Sequence, residues 1–264
     1  ILIETEFPGN WKLGDQIMTA LRAANSQKML YPPLISLKNL ISSYDRSLSN
    51  DRSAILEPIL SEFFPYIENL AGVQLKDWTG DSAVIINIIL ECFKSAHYLQ
   101  LSNYLKQDEV IIWMQICGQV LNNPIGEDET SFLDDWDEII ERQENSQFWI
   151  AKTTSMDIIY SIFRHCKPSV SGSNFLQEFQ GYFNSTFATM LVDQAFMFIS
   201  NYFNFYIPPK IVANCLRILK MGIYNPVTEA GLQNHLNTIL FQYCIPLLRI
   251  NSKDVEYWEQ DDQK

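Results

Sequence analysis

The stretch "SAVIINIILECF", Ser82 to Phe93, decides how this chain folds. It is apolar nearly all round, as a helix is when neighbours pack on several of its sides. Its longest apolar run, "AVIINIIL" from Ala83 to Leu90, is far too short to span a bilayer and carries Asn87 within it. On either side, apolar residues recur at i, i+3, i+4 and i+7. Ile55, Ile59, Phe63, Ile67 and Leu70 follow that spacing, as do Ile159, Ile162, Phe163 and Cys166, and again Val212, Cys215, Leu216 and Leu219. Glycine is scarce and β-type alternation is nearly absent, so the class is all-α.

Start and stop signals predict helices at about Trp11–Ser26, Pro32–Tyr44, Ser53–Ala71, Ser82–Tyr98, Leu105–Asn122, Gln147–Cys166, Asn174–Tyr202, Pro209–Tyr224 and Thr228–Leu248. Asp51 or Ser53 suits the cap of the third, Asp81 or Ser82 the fourth and Thr228 the last. Pro208 and Pro209 fit a first turn, where a missing N–H costs nothing. Taken in pairs, the units start near residues 11, 53, 105 and 174, a spacing of about 42 to 52 residues followed by a stretched unit of roughly 69. Hairpins repeating at that length predict a HEAT or armadillo superhelix, a right-handed solenoid of four to five hairpins. One solenoid segment is expected over residues 1–264, cut from a longer chain because it starts at Ile1 and ends in "EQDDQK".

The stretched unit holds an acidic insertion, residues 123–146. Between Glu127 and Glu144 stand nine carboxylates, Glu127, Asp128, Glu129, Asp134, Asp135, Asp137, Glu138, Glu141 and Glu144, against the single Arg142. That local excess of eight makes up most of the net charge of −12. Asp134, Asp135 and Glu138 have the spacing of the DDxxD/E carboxylates that hold magnesium in all-α terpenoid synthases. Such chemistry needs a second carboxylate motif and a basic cluster for the diphosphate, and the sequence offers neither. A solvated loop without a partner is the plainer alternative. Against a purely solvated coil stands the apolar side of "FLDDWDEII", formed by Phe132, Leu133, Trp136, Ile139 and Ile140. A negatively charged clamp for basic protein surfaces fits best.

The net charge argues against direct binding to nucleic acid or to an anionic membrane, and no membrane insertion is expected of what reads as a soluble protein. The odd, widely spaced cysteines, Cys92, Cys117, Cys166, Cys215 and Cys244, read as buried thiols of a reducing compartment. His97, His165 and His235 show no metal-ligand spacing, and no cofactor or catalytic residue is expected. The aromatic stripe Phe175, Phe179, Tyr182, Phe183 and Phe187 reads as core. "FMFISNYFNFY", Phe196 to Tyr206, is unusually aromatic, and part of it is a candidate lining for a Phe-binding groove.

"FWIAKTTSMDIIYSIFRHC", Phe148 to Cys166, resembles the importin-β superfamily, and within it the branch of importins seven and eight. There an acidic insertion is followed by an aromatic pair, a run of lysines and a long amphipathic helix. Phe148 and Trp149 sit where that family has its Trp pair, and Lys152 matches one of the lysines. Ile150 and Thr153 replace others, so a basic run that served cargo or Ran would be partly lost. "EFPGNW" (Glu6, Phe7, Pro8, Trp11) is similar to the family's hairpin turn, and "DVEYWEQD" (Asp254, Glu256, Trp258, Asp261) to its acidic segment around a Trp.

The resemblance implies a non-enzymatic, monomeric nuclear transport receptor. Its partners would be the GTP form of Ran, FG-nucleoporins and basic cargo such as ribosomal proteins and histones. It would shuttle between cytoplasm and nucleus through the pore. Within the insertion, Trp136 and the nine carboxylates would be the residues that meet cargo or Ran. An export receptor or another HEAT scaffold is the alternative in the binding class.

Overall fold

The computed structural model describes residues 12–45, 51–97, 101–102, 104–131, 136–166, 174–202 and 204–247. Glu6 to Trp11, Asp134, Asp135 and the segment around Trp258 lie outside them. The long helices are α1 (Lys12–Ala23), α2 (Gln27–Asp45), α3 (Asp51–Gln74), α4 (Gly80–Ala96) and α5 (Gln107–Asn122). Two short ones follow, α6 (Glu127–Thr130) and α7 (Trp136–Asn145), then α8 (Gln147–His165), α9 (Asn174–Asn201) and α10 (Pro209–Ile223). Beyond them come α11 (Glu229–Gln233), α12 (Leu236–Thr238), a π-helical turn at Ile239–Cys244 and α13 (Ile245–Leu247).

The packing is that of stacked hairpins. α1 pairs with α2, α3 with α4, α5 with α8 and α9 with α10. The second members form a continuous inner row, α2 against α4, α4 against α8 and α8 against α10. This is the all-α, HEAT-like arrangement that the repeat spacing predicts, with the long third hairpin interrupted by α6 and α7.

The apolar run of α4 follows from its place in that row. Ile85, Ile86, Ile88, Ile89, Leu90, Cys92 and Phe93 are all buried, because α2, α3 and α8 cover the helix from three sides. Each buried Ile or Leu contributes about 1.5–3 kcal/mol relative to exposure. Asn87 lies in the α4–α8 seam, where its side-chain oxygen accepts from the Thr154 hydroxyl at 2.7 Å. α10 shows the same logic at lower burial: Ile211, Val212, Cys215, Ile218 and Leu219 face inward while Lys210, Arg217 and Lys220 stay exposed.

Several local expectations need correction. α4 is capped by Thr79, not by Asp81 or Ser82. Its hydroxyl accepts from the Ser82 N–H at 3.3 Å, and Ser82 Oγ accepts from the Thr79 N–H at 2.7 Å, a capping box with Ser in the usual Glu place. α2 starts at Gln27 and carries Pro32 and Pro33 inside it. The N–H groups these prolines lack would have served the carbonyls of Lys28 and Met29, both exposed residues that water can reach. The last predicted helix is broken into α11, α12, the π-turn and α13; Pro246 has no N–H for the carbonyl four residues back, so a regular α-ladder cannot run through. Thr228 does not cap with its side chain; its hydroxyl donates to the Gly222 carbonyl at 2.7 Å.

Cys92, Cys117, Cys166 and Cys215 are buried, Cys244 is partly buried, and all five are free thiols. Phe179, Phe183 and Phe187 are core residues. Among the described residues, no helix is long and apolar enough to cross a membrane.

Candidate functional site

The acidic insertion leaves α5 at Asn123 and returns at Ser146, which caps α8 by accepting from the Trp149 N–H at 3.4 Å. Between these points the chain forms two helices where an irregular loop was expected. α6 is a single turn closed by Ser131 N–H donating to the Glu127 carbonyl at 2.9 Å. α7 begins at Trp136 with Asp137 and Glu138 in its first turn and Arg142 in its last. Acids at the start and a cation at the end complement the helix dipole.

Four contacts hold this segment to the solenoid. Trp149, buried on α8, donates its indole N–H to the Glu129 carbonyl at 2.9 Å. Tyr206, in the connection between α9 and α10, donates its backbone N–H to the Thr130 carbonyl at 2.9 Å and its hydroxyl to the Ile139 carbonyl at 3.2 Å. The Trp149 and Tyr206 rings meet edge to face at 5.6 Å. The Arg142 guanidinium lies 5.2 Å over the Tyr206 ring and donates to the Ser131 carbonyl at 2.9 Å. Burial pushes the Tyr206 phenol up to about 12, so it keeps its proton as a donor at neutral pH. An insertion belonging to the third hairpin is thus fastened also to the fourth.

The aromatic pair points both ways along the stack. Phe148 sits 5.5 Å from the Trp78 ring, beside the start of α4, while Trp149 reaches forward to Tyr206. Lys152 has a different setting from an exposed basic run. It is buried, and its ammonium donates to the carbonyls of Val120 at 2.9 Å, Leu121 at 2.6 Å and Asn123 at 2.7 Å. These are end-of-helix carbonyls of α5 and its cap, which have no partner within the helix. Burial draws the Lys152 amine down to about 8.

The carboxylates themselves face solvent. Asp128, Glu129, Glu138, Glu141 and Arg142, with Asn145 and Ser146, line an open cleft of about 570 Å³ between α6 and α7. Glu127, Asp128, Asp137, Glu138, Glu141 and Glu144 are exposed and Glu129 is half-buried. Asp134 and Asp135 are outside the described residues, and so is the Trp136 side chain. Among the described residues, no three Asp, Glu, His or Cys side chains come together to hold a metal ion.

Two groups make contacts between hairpins that no local sequence pattern marks, Tyr206 at the site and Asp157 in the row of helices behind it. In the sequence Tyr206 stands only as part of an aromatic run, because its partners at Thr130 and Ile139 are remote in the chain. Asp157 on α8 joins three inner helices: its carboxylate pairs with Lys94 of α4 at 2.7 Å and Lys210 of α10 at 2.8 Å, and accepts from Asn214 at 2.7 Å.

No protein-family model and no solved structure matches the chain. Among curated proteins it is similar to Importin-8 of Danio rerio, with 24% identity over 98% of this chain and 26% of that protein. It is also similar to the Importin beta-like SAD2 homolog of Arabidopsis thaliana, with 22% identity over 98% of this chain and 25% of that protein. For the Probable importin-7 homolog of Dictyostelium discoideum the identity is 20%, over 99% of this chain and 25% of that protein. The chain therefore spans about a quarter of the length of the curated relatives it matches. A stack of helical hairpins, an acidic insertion and an aromatic pair after it accompany that likeness, and along nearly its whole length the chain resembles the importin-7 and importin-8 type of the importin-β superfamily.

Proposed function

We propose that this chain is a segment of a nuclear transport receptor of the importin-β type, and that its acidic insertion docks basic segments of protein cargo. One observation supports the reading above the others: exposed carboxylates gather around a cleft whose walls, α6 and α7, are fastened to two successive hairpins. A tethered cluster binds a basic segment at lower entropic cost than a free coil would. Its field raises the association rate with Lys/Arg-rich surfaces and fades as salt rises. In a receptor of this kind the partners are Ran in its GTP form, FG-nucleoporins and basic cargo such as ribosomal proteins and histones, and the protein shuttles through the nuclear pore.

The test replaces Asp128, Glu138 and Glu141 together with Asn, Gln and Gln in the full-length protein, and follows binding of a linker-histone tail by fluorescence anisotropy. Exposed ion pairs contribute about 0.2–1 kcal/mol each, so losing three is expected to weaken binding roughly three- to 150-fold at low salt and less at higher salt. Equal affinity of the two proteins under both conditions removes the cleft from cargo binding. Cargo binding strengthened by RanGTP would mark an export receptor instead.

A further inference from the structure

We propose that Ser131 is a phosphorylation site for an acidophilic serine kinase, with Arg142 as the side chain that receives the new phosphate. Three observations converge on this residue. Ser131 is exposed, and its backbone at φ −56° and ψ 137° leaves α6 in an extended form. A kinase cleft admits extended chain, not helix interior. Its hydroxyl stands 3.1 Å from Arg142 Nη1, with the neighbouring carbonyl also held by that guanidinium. In sequence, Asp134 follows three residues later and Asp135 four, after the preceding run Glu127, Asp128 and Glu129. Kinases with a basic substrate groove select that pattern by charge complementarity.

Competing hydroxyls are weaker candidates. Ser42 and Thr154 also have an Asp three residues on, but both lie within helices, α2 and α8, and their hydroxyls meet Ser95 and Asn87. Thr130 and Ser131 each donate to the carbonyl three residues back at 3.2 Å, but Thr130 is half-buried and has Leu133 at the third position after it.

In the transfer, Ser131 Oγ bonds to the γ-phosphorus of ATP and the bond from that phosphorus to the β,γ-bridging oxygen breaks. ADP leaves, and the hydroxyl proton passes to the kinase's carboxylate base. The phosphoserine adds about −1.5 to −2 charges to a segment whose formal excess is already eight. Its oxygens fall within the fork of Arg142, which geometry favours for bidentate pairing. Because that guanidinium also covers Tyr206, the modification ties α6, α7 and the α9–α10 connection into one charged clasp.

The purified full-length protein is incubated with casein kinase 2 and ATP, and phosphate is located by peptide mass spectrometry. The expected result is phosphate on Ser131, reduced by about tenfold or more in S131A and unchanged in T130V. S131A keeps the fold, since the residue is exposed and Arg142 still bonds its carbonyl. No phosphate on Ser131, or the same total in S131A, overturns the assignment. Phosphorus NMR then titrates the phosphoserine, with Arg142 of α7 at its oxygen and Glu127, Asp128 and Glu129 of α6 and Asp137, Glu138, Glu141 and Glu144 of α7 as the charges of the two helices that flank it. The second ionisation is expected to fall lower in the parent than in R142Q by about half a unit or more. Equal values sink the role given to Arg142.

Discussion

Replacing Lys152 by Met keeps the length and most of the volume of the side chain and removes only its ammonium. Three carbonyls at the end of α5 then lose their donor: Val120, Leu121 and Asn123. The Gln119 carbonyl is unaffected, because Asn123 N–H holds it at 2.8 Å. An acceptor left unpartnered in the interior costs about 1–3 kcal/mol. Against that stands relief from burying a charge. The amine falls from its ordinary 10.5 to about 8, which corresponds to roughly 3 kcal/mol of burial penalty on the charged form. Over three carbonyls, and less that relief, the balance is a net loss of up to about 6 kcal/mol for K152M.

Hairpin stacks have only nearest-neighbour coupling, so the damage should be local before it is global. Amide hydrogen exchange is the suitable assay, read at the end of α5 and in α6. The expected result is exchange at least tenfold faster there, the equivalent of about 1.4 kcal/mol, with α2 and α10 unchanged. The sign of the pH effect provides a second check. Between about 8 and 10.5 the unfolded chain holds a proton on Lys152 that the folded chain has released. The parent's margin over K152M therefore rises with pH through that window, by up to about 1.4 kcal/mol per unit, and is smallest below 8. Exchange in K152M matching the parent across α5 and α6 refutes the capping role, and a margin that shrinks as pH rises refutes the burial penalty set against it.

Asp157→Asn should loosen the inner row: Lys94 and Lys210 are about a third and half exposed and can turn to water, which limits the cost to about 1–3 kcal/mol in chemical unfolding. Burial alone would raise the Asp157 carboxyl, but hydrogen bonds and charge from Lys210 and Lys94 outweigh it and hold it below its ordinary 3.8. Its contribution is present above that value and disappears as pH falls through the folded value, so an acid titration of D157N should lack that step. At Gly222 an added methyl would stand 2.7 Å from Leu232 Cδ1 and 2.8 Å from Val192 Cγ2. G222A should cost about 1–2 kcal/mol after the gain in helix propensity, whereas G118A, with nothing within 4 Å, should gain up to about 1 kcal/mol; thermal melts that rank them the other way contradict the packing.

The repeat was legible because burial leaves a mark on every residue of an inner helix. Ile85 to Phe93 had to be apolar nearly all round, Asn87 and Glu91 apart, to lie between α2, α3 and α8. The stretched third unit was legible for the same reason, as a gap in periodicity filled with acids. Caps were less so: Thr79 acts through Ser82, a residue that itself looked like the cap. Prolines at positions 32 and 33 suggested a helix start, yet a proline is tolerated further in where the stranded carbonyls reach water. The fastening of the site was not legible at all. Lys152 finds its acceptors about thirty residues back, and Asp157 finds partners more than fifty residues away on both sides. Pairings of that range depend on how hairpins stack, and no local pattern carries them.

That stacking gives the insertion a specific mechanical position. Lys152 holds the start of the insertion at Asn123 and Trp149 holds α6 at Glu129, both to the third hairpin, while Tyr206 holds Thr130 and Ile139 to the fourth. In a solenoid the soft coordinate is the angle between neighbouring hairpins. A change in that angle at this junction must move Tyr206 relative to Trp149, and with it the spacing of α6 and α7 around the cleft. Conversely, a ligand that prefers one width of the cleft favours one angle, by no more than its difference in affinity for the two widths. Severing the Tyr206 hydroxyl bond alone, as in Y206F, would weaken that coupling while leaving every carboxylate in place, which separates the charge of the insertion from its mechanics.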